Sequence, residues 1–417
     1  MKQLVSRHIA PIAADLLQHF PGIVIEGARQ VGKSTLAAHI AQSDAIIRNL
    51  DETSLREAAA ADPDGFVNET GGRQLVIDEI QRLPELTLAV KASIDRDRRP
   101  GRFIVTGSSS LLRLRGTADS LAGRVARLTM HGLSRGEDRG VLDDFATAVA
   151  DHPGRLPELT TSETRADYAE LVAVGAYPEV RSMPPRVRTA WIDSYLDSVT
   201  GRDLGELRKE IQPTRALAVL RTVAGRQSAE LVKATLAQET AVPPSTITGY
   251  LDLLHDVGLL ASIPPWTPNL AKREIGRPKT FVIDSGLAVR LARLTPEQLA
   301  TIEYGEALGS MLETFVAGEL LRQRSWAARD FTLFHYRTRD GDEVDLILEF
   351  GDGTVVAVEV KASSSYRAEH FAGLSRLRDR LGDRFVAGVV LGTGTTGIRF
   401  ADRLYGAPIA ALWKFAA

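Results

Sequence analysis

A phosphate-binding loop near the N-terminus constrains this chain more than any other feature of its sequence. The run GARQVGKST fits the pattern G-x-x-x-x-G-K-[ST], and it lies between a strand-like run and a helix-like run, the context that separates this motif from a chance glycine-rich turn. Gly27 and Gly32 allow backbone N–H groups to face phosphate oxygens. Lys33 would pair with the β- and γ-phosphates of ATP, and Ser34 would offer its hydroxyl to Mg²⁺. The predicted nucleotide-binding residues are Gly27, Ala28, Arg29, Gln30, Val31, Gly32, Lys33, Ser34 and Thr35.

An acidic run farther along the chain predicts the metal side of the same site. LVIDEI at 75–80 places two acids directly after a buried, strand-like apolar run. We expect Asp78 and Glu79 to project at the carboxyl edge of a parallel sheet, where ligands bind in such sheets. Asp78 would hold Mg²⁺ through water, and Glu79 would orient or deprotonate the attacking water. A solvated strand end is the alternative for this pair taken alone.

Three further positions could contact the γ-phosphate. FIVTGSSS at 103–110 predicts a strand that ends in hydroxyls, with Thr106 as the first candidate for a polar sensor and Ser108 as the second. A serine-rich turn is the alternative there. Arg124, in the run LAGR, could act as an arginine finger on the nucleotide of a neighbouring subunit, which requires a homo-oligomer. Surface solvation or a structural ion pair is the alternative for Arg124.

Composition excludes several classes of protein. The 417 residues exceed one compact core and fit about two to four domains. The formal net charge of −2 gives no overall basic field of the kind that indicates nucleic acid. The absence of cysteine excludes disulfides, thiolate zinc sites and cysteine nucleophiles. Arg7 and Asp15 interrupt the apolar start and no run approaches about 18 apolar residues, so we expect a cytoplasmic protein without a membrane span.

The order of the segments predicts four domains. Helix-like and strand-like runs alternate in the first part of the chain, which is typical of a parallel α/β sheet. A loop-like stretch follows, and helical patterns dominate from about 166 onwards. The predicted domains are a nucleotide-binding core at 1–140, a helical segment at 141–225, a compact unit at 226–295 and a final α/β unit at 296–417.

Short runs in a specific order cover nearly the whole chain: GARQVGKSTL, LVIDEIQRLPEL, IVTGSSSLL, SLAGRV, GAYPEV, WIDSYLDSVTGRDL, YLDLLHDVGLL, PKTFVIDSGLA and GSMLETFVAGEL. Together they resemble a large family of bacterial and archaeal AAA+ ATPases that carry an uncharacterised C-terminal domain. One departure is Ala176, where that family more often has two successive glycines. The resemblance implies ATP hydrolysis and an α/β fold class: an N-terminal AAA+ P-loop parallel sheet, a helical lid, a winged helix and a C-terminal restriction-endonuclease-like α/β unit.

The residue pattern from 231 to 279 also predicts the winged helix directly. Residues 231–239 and 245–260 read as two helices joined by the turn AVPPS, which is helix-turn-helix spacing. Binding to DNA would use Thr246, Thr248 and Tyr250 on an exposed helix face. A basic wing would contact phosphates through Lys272, Arg273, Arg277 and Lys279. Asp252 and Asp256 argue against DNA, and winged helices also serve as protein-packing modules, so both interpretations remain open.

A set of acids near the C-terminus resembles the active site of PD-(D/E)XK nucleases. Glu313 lies in a predicted helix, Asp345 in a predicted strand, and Glu359 and Lys361 on one face of the next strand. In that chemistry the carboxylates hold Mg²⁺, and the lysine stabilises developing charge or positions the nucleophile. Here Val-Asp replaces the usual Pro-Asp. Glu359 and Lys361 could instead simply pair, and the fold can survive as an inactive DNA clamp.

Two hypotheses of different kinds follow. Basic neighbours of the acids favour a polyanion nearby: Arg322, Arg324, Arg337 and Arg339. In the first hypothesis, a DNA-directed ATPase with a nuclease or nuclease-derived domain acts in DNA repair, junction processing or defence. In the second, the ATPase is a nucleotide switch whose C-terminal parts bind a protein partner. The first expects ATP turnover to rise when DNA is added, whereas the second expects no change.

Overall fold

The computed structural model describes these residues: 4–108, 121–208, 211–267, 276–338 and 341–416. The chain forms two compact units. The first runs to Gly132 and includes Asp256–Gly258, and the second comprises Leu133–His255 and Leu259–Ala417. The domain boundaries predicted near 140, 225 and 295 all fall inside the second unit and stay predictions.

A parallel sheet forms the core of the first unit. Its strands β1 to β5, in the described part of the chain, are Gly22–Gly27, Ile46–Asn49, Leu75–Asp78, Phe103–Ser108 and Val125–Thr129. They lie in the order β2-β3-β4-β1-β5, and every pairing is parallel. Strands that are covered on both faces have continuous apolar sequences. The GIVI start of β1 is such a sequence, and it is almost fully buried. The carboxyl ends of β1, β3 and β4 therefore meet at one edge, and the P-loop sheet expected from the sequence is confirmed.

Helices alternate with these strands. Helices α1 to α5 are Ala10–His19, Lys33–Ile40, Thr53–Ala61, Pro63–Asn68 and Leu86–Arg96. Helix α2 follows directly on the phosphate loop, and its first backbone bond runs from the Leu36 N–H to the Gly32 carbonyl. Helix α5 buries Leu86, Val90 and Ile94 on one face against the sheet. This packing fixes the sheet edge from which the polar residues project.

The second unit begins with helices. Helices α6 to α11 are Arg135–Arg139, Phe145–Asp151, Arg165–Val174, Pro185–Ser198, Leu204–Leu207 and Pro213–Ala224. Capping boxes start two of them: Ser134 with Glu137 at α6, and Thr164 with Asp167 at α8. The helical region predicted from about residue 166 is confirmed. Short 3₁₀ segments lie at Ile80–Arg82, Pro153–Glu158, Val180–Ser182, Ala368–Phe371 and Gly382–Arg384, with a π-helical turn at Val199–Asp203.

A winged-helix arrangement follows. Helices α12 (Lys233–Thr240) and α13 (Ile247–Asp256) precede the antiparallel strands β6 (Leu260–Ile263) and β7 (Lys279–Val282). Helix α13 forms because apolar residues recur at helical spacing, and the side chains of that stripe are buried. The order of helices and strands matches the winged helix expected from the sequence.

A mixed sheet completes the second unit. Helices α14 to α18 are Ser285–Leu291, Pro296–Ala300, Gly305–Gln323, Ala372–Leu381 and Ala411–Lys414. Strands β8 to β13 are Phe331–Arg337, Glu343–Phe350, Val355–Lys361, Phe385–Gly392, Ile398–Ala401 and Leu404–Pro408. Among the described residues they lie in the order β12-β13-β11-β10-β9-β8, with β8, β9 and β10 antiparallel and β10, β11 and β13 parallel.

The strand pair predicted around the turn GDGT is confirmed. Strands β9 and β10 are antiparallel, and Gly353 adopts the left-handed φ of 79° that the tight turn between them requires. The apolar residues of both strands are buried. In the part of the chain that the structure describes, no helix combines the length and the apolarity that crossing a membrane demands.

Candidate functional site

The phosphate loop has the backbone that its sequence predicts. It leaves β1 at Gly27 and enters α2 at Lys33, with left-handed φ values of 61° at Gln30 and 99° at Gly32. Such a conformation turns successive N–H groups to one side and forms an anion-binding concavity. The Lys33 side chain is buried, and its Nζ donates to the carbonyl oxygens of Gly27 (3.2 Å) and Ala28 (2.9 Å).

The charge of Lys33 is poised for an anion. Burial lowers the pKa of Lys33, and the negative charges of Glu79 and Asp78 oppose that shift. Lys33 thus donates to the loop carbonyls and also interacts electrostatically with Glu79 and Asp78. Because it is buried, it is less hydrated than a surface lysine. A polyphosphate placed over the loop would return favourable charge to this ammonium group.

Two side chains from different elements meet at Asp78. Its Oδ1 accepts a hydrogen bond from the Ser34 hydroxyl (2.9 Å) and another from the Thr106 hydroxyl. The structure therefore brings together the predicted metal-side residues of the loop, the acidic strand and the sensor strand. Mg²⁺ prefers oxygen ligands, so the hydroxyl of Ser34 and the carboxylate of Asp78 are suitable ligands for this ion. Their role as ligands stays a prediction.

Gln81, which was not among the predicted site residues, holds Glu79 in place. The Glu79 backbone is left-handed, with a φ of 58°, and its N–H donates to the Thr106 Oγ1 (3.1 Å). The Gln81 amide donates to the Glu79 carboxylate, and the Gln81 Oε1 accepts from the Ser108 N–H (3.3 Å). Gln81 thus ties Glu79 to the end of β4. The available signal was the position of Gln81 two residues after Glu79 in the run DEIQ.

Arg124 makes the ion pair that was the alternative to a finger. Its Nε and Nη2 donate to the two carboxylate oxygens of Asp95, at 2.8 and 2.9 Å. This bidentate contact raises the pKa of Arg124 and lowers that of Asp95. An arginine finger would have to leave this partner, so the finger role stays a prediction that carries an added energetic cost.

The C-terminal acids also converge. Asp345 lies on β9, and Glu359 and Lys361 lie on the neighbouring strand β10. The Val360 N–H donates to the Asp345 Oδ2 (2.8 Å), and the Lys361 Nζ donates to the Glu359 Oε1 (2.5 Å). Asp345, Glu359 and Lys361 therefore form one polar group in the antiparallel part of the sheet, and Glu359 and Lys361 lie on one face of β10 as their alternation predicted. The pairing of Glu359 with Lys361 that the alternative proposed is present as well.

The expectation that Lys279 contacts phosphates from an exposed wing is wrong. Its side chain is 3% exposed, and its Nζ lies 2.8 Å from Glu313, 3.1 Å from Glu343 and 3.7 Å from Asp345. Lys279 opens β7 and is buried among acids from helix α16 and strand β9. A run of nearby basic residues indicated exposure, but a lysine with several carboxylate partners can be buried. We call Glu313, Glu343, Asp345 and Glu359 the acidic cluster.

Burial dominates the electrostatics of this cluster. Desolvation, followed by the charge of Asp345, raises the pKa of Glu313 to about 8 and that of Glu359 to about 7. The carboxylates raise the pKa of Lys279, although its own burial opposes that shift. These shifts favour the protonated forms of Glu313 and Glu359 near neutral pH, which reduces the negative charge that Lys279 and Lys361 must balance.

The carboxylate oxygens of the acidic cluster are suitable ligands for a hard cation, but Glu313, Glu343 and Asp345 surround the ammonium group of Lys279. Carboxylate oxygens are the ligands that Mg²⁺ takes. Among the described residues, no three His, Asp or Glu side chains are grouped as ligands of a single metal ion. The predicted metal roles of Glu313, Asp345 and Glu359 stay predictions.

Other residues proposed to face DNA divide into exposed and buried ones. Thr246 and Thr248 are exposed on the start of α13, and Arg277 is exposed next to β7. Tyr250 is buried, and its hydroxyl accepts from the Gln212 N–H, so its place on an exposed face was wrong. Arg322 is also buried, paired with Glu319, and does not reach a surface polyanion. Lys272, Arg273 and Arg339 lie outside the described residues.

Comparisons with known proteins support the ATPase assignment of the first unit most directly. Residues 19–138 match the AAA_14 family, described as an AAA domain. Together with the loop geometry, this match supports nucleotide binding and ATP hydrolysis. The first unit therefore has the fold of an AAA-type P-loop ATPase, and the roles of its site residues stay predictions. Residues 165–298 match a domain of unknown function, DUF8612, and residues 308–412 match another, DUF4143.

Sequence similarity to other proteins extends over most of the chain. The uncharacterized proteins Rv2008c of Mycobacterium tuberculosis and Mb2031c of Mycobacterium bovis are each 29% identical over 353 residues, which cover 84% of this chain and 72% of theirs. The Walker-type ATPase PABY2304 of Pyrococcus abyssi is similar with a TM-score of 0.42 and 14% identity, over 70% of this chain and 99% of that chain. AMPPCP-bound DnaA of Aquifex aeolicus has a TM-score of 0.28 and 12% identity, over 60% of this chain and 86% of that chain.

Proposed function

We propose that this ATPase acts on DNA in the cytoplasm, in repair, junction processing or defence, and that its C-terminal sheet cleaves DNA with Mg²⁺. The observation that carries the proposal is the convergence of Glu313, Asp345, Glu359 and Lys361 from one helix and two adjacent strands. A buried group of carboxylates beside a lysine is costly to maintain, and such groups are concentrated at functional sites.

The residues divide the work of phosphodiester cleavage between them. Glu313, Asp345 and Glu359 would hold the divalent ion, because their carboxylates are the oxygen donors in the cluster. The ion, when bound, would polarise the phosphodiester and activate water. Lys361 is partly exposed, with 34% of its side chain accessible, so its ammonium group can meet a phosphate oxygen while it holds Glu359 in place.

DNA would be held by residues around the winged helix and the strands. Thr246 and Thr248 are exposed at the start of α13, and Lys233 donates to the Thr248 hydroxyl (3.2 Å). Arg337, at the end of β8, is half exposed. Hydroxyls and cations of this kind contact the phosphate backbone and position a duplex without reading its sequence. We therefore propose binding with strong salt dependence and little sequence preference.

The second candidate function is a nucleotide-switched regulator whose nuclease-like domain is inactive. It is favoured by Lys279, since an internal ammonium group already satisfies carboxylates of the acidic cluster. In that case the C-terminal unit would bind a partner without cutting DNA. ATP turnover would then be indifferent to DNA.

One experiment separates the two functions. Labelled branched, single-stranded and duplex DNA would be incubated with wild type and with Asp345→Asn, in Mg²⁺ or Mn²⁺, with and without ATP. We expect cleavage by wild type, none in chelator and none by Asp345→Asn, with ATP hydrolysis intact in the variant. Asp383→Asn, the same change at an exposed turn of this unit, is the matched control and should cut normally.

Two outcomes would contradict the nuclease. Equal cleavage by wild type and Asp345→Asn would indicate a contaminating enzyme. No cleavage under any metal or nucleotide, together with ATP turnover that ignores DNA, would favour the regulator. Lys361→Ala should cut poorly yet keep DNA binding, because its proposed role is to stabilise charge during cleavage.

A further inference from the structure

Lys279 is a buried lysine whose ammonium group lies among carboxylates from other elements. Lys279 belongs to the winged-helix strand β7, where it pairs with Ile263 of β6. Its ammonium group contacts Glu313 of α16 and two acids of β9, and it is almost fully buried there. The cation of the acidic cluster is thus supplied by the protein itself.

This ammonium group and a divalent ion need the same oxygen atoms. The Lys279 Nζ lies 2.8 Å from the Glu313 Oε1 and 3.7 Å from the Asp345 Oδ1. Mg²⁺ binds carboxylate oxygens at about 2.0–2.1 Å and demands octahedral geometry, so it would have to enter the space that the ammonium group holds. Two cations at such a separation also repel each other, and burial weakens the screening of that repulsion.

We propose that Lys279 and the divalent ion exclude one another, so that Lys279 keeps the acidic cluster closed until it withdraws. The proposal rests on the proposed metal site of the C-terminal sheet and concerns its regulation. Lys279 lies on the β6–β7 strand pair, which is a separate sheet but bonds to His335 of β8 through Pro264, Trp266 and Arg277. Withdrawal of Lys279 would therefore require these bonds to break. Arg277, exposed two residues before Lys279, gives a polyanion a contact on the same segment.

A purely structural role for Lys279 makes a different prediction. If the ammonium group only neutralises buried acids, its removal destabilises the fold and confers no affinity for metal. If it competes with an ion, its removal destabilises the metal-free protein and also creates a site that Mn²⁺ can fill. Breaking a buried ion pair by removing one partner is costly, so both cases predict a loss of stability without metal. Metal affinity therefore discriminates between them.

The test measures Mn²⁺ binding to the full-length chain without nucleotide, from the electron paramagnetic resonance signal of free Mn²⁺. The variants are Lys279→Met, which removes the charge, and Lys279→Arg, which keeps it. We expect Lys279→Met to bind Mn²⁺ at least tenfold more tightly than wild type, and Lys279→Arg to bind no better. Adding Asp345→Asn to Lys279→Met should abolish the gain, which locates the ion in the acidic cluster.

Thermal unfolding supplies a second measurement. Lys279→Met should melt below wild type in chelator and recover with Mn²⁺ in a concentration-dependent way, because a ligand that binds only the folded state stabilises it. Equal Mn²⁺ affinity in wild type and Lys279→Met would overturn the proposal. So would a variant that stays unfolded with and without Mn²⁺, since the ion should replace the missing charge.

The outcomes also separate this proposal from the nuclease itself. A gain of Mn²⁺ affinity without DNA cleavage would support the role of Lys279 and contradict the proposed cleavage. Cleavage by wild type with no gain in Lys279→Met would support the nuclease and contradict the competition.

Discussion

Single residues at the predicted nucleotide site are linked to one another by hydrogen bonds. Asp78 accepts hydrogen bonds from Ser34 and Thr106, and Lys33 is turned back onto the loop carbonyls. These contacts restrict the movement of each group, and the positioning of reactive groups is a large part of catalysis in P-loop enzymes. Lys33 and Glu79 have separable roles in that arrangement, so their variants should fail at different steps.

Lys33→Ala should lose ATP binding, whereas Glu79→Gln should bind ATP normally and hydrolyse it slowly. The lysine supplies charge to the phosphates in the ground state, but the glutamate acts only on the attacking water. We expect turnover by Glu79→Gln to fall roughly 10²- to 10⁴-fold, the usual contribution of a general base. Fluorescent ATP-analogue binding and steady-state phosphate release measure the two effects. A normal rate in Glu79→Gln would show that its assigned role is wrong.

Gln81→Ala should lower kcat several-fold while leaving the KM for ATP unchanged. The Gln81 amide donates to the Glu79 carboxylate and its oxygen accepts from Ser108, so its loss leaves Glu79 free to rotate away from the water. Gln81 would thus be a positioning residue. In a Glu79→Gln background the same change should have almost no further effect, because the group that it positions is already gone. Additive losses in the double variant would argue that Gln81 acts elsewhere.

At the scale of elements, local patterns predicted the strands well and the exposure of charged residues poorly. GIVIEG gave β1 at the predicted residues, and the run around GDGT gave β9 and β10. Strand period and turn chemistry are local, so a sequence carries them directly. The burial of Lys279 depends on acids far away in the chain, and the burial of Tyr250 depends on the packing of α13. No local pattern reports such contacts.

The same division applies to the candidate sites. The phosphate loop could be found because its chemistry lies in consecutive residues. The ion pair of Arg124 with Asp95 and the tie between Gln81 and Ser108 join separate segments, and the sequence left both undetermined. The placement of Asp345 and Glu359 on adjacent strands was predictable from the strand pattern, but the burial of Lys279 beside Asp345 was not.

Helix α16 should make stability depend on pH through Glu313. Burial and Asp345 raise the pKa of Glu313 from 4.5 to about 8, so the folded state binds its proton more tightly than the unfolded state. The stabilisation is complete below the unfolded pKa and is lost as the pH rises through about 8. The charged groups around it are Lys279, Asp345 and Glu359. Urea unfolding in chelator should therefore give a free energy that decreases between about pH 5 and pH 8.

Glu313→Gln is the control for this effect, because its amide does not titrate in that range. Its unfolding free energy should change less with pH than that of wild type, and the difference should be confined to the same window. An identical slope in the two proteins would show that Glu313 is not protonated more readily in the folded state.

At the scale of the molecule, the two chemistries lie in separate compact units. Ser34 and Asp78 belong to the first unit, whereas Asp345 and Glu359 belong to the second. Variants in the second unit should therefore leave the basal ATPase rate intact, and any effect of DNA on that rate must pass between the units. An assembly of several chains would add a further level of coupling, and Arg124 is the residue through which it can be tested.

Arg124→Ala should bind ATP normally and hydrolyse it roughly a thousandfold more slowly if the arginine completes the site of a neighbouring subunit, since such fingers contribute 10³ or more. In this structure Arg124 is held by Asp95, so Asp95→Asn should free it and increase turnover. Mixing Arg124→Ala with Lys33→Ala should restore part of the activity, because one mixed interface joins an intact loop to an intact arginine. Turnover is followed across a dilution series, with sedimentation velocity on the same samples. A strict monomer with activity proportional to concentration, and no recovery on mixing, would mean that Arg124 serves only the ion pair with Asp95.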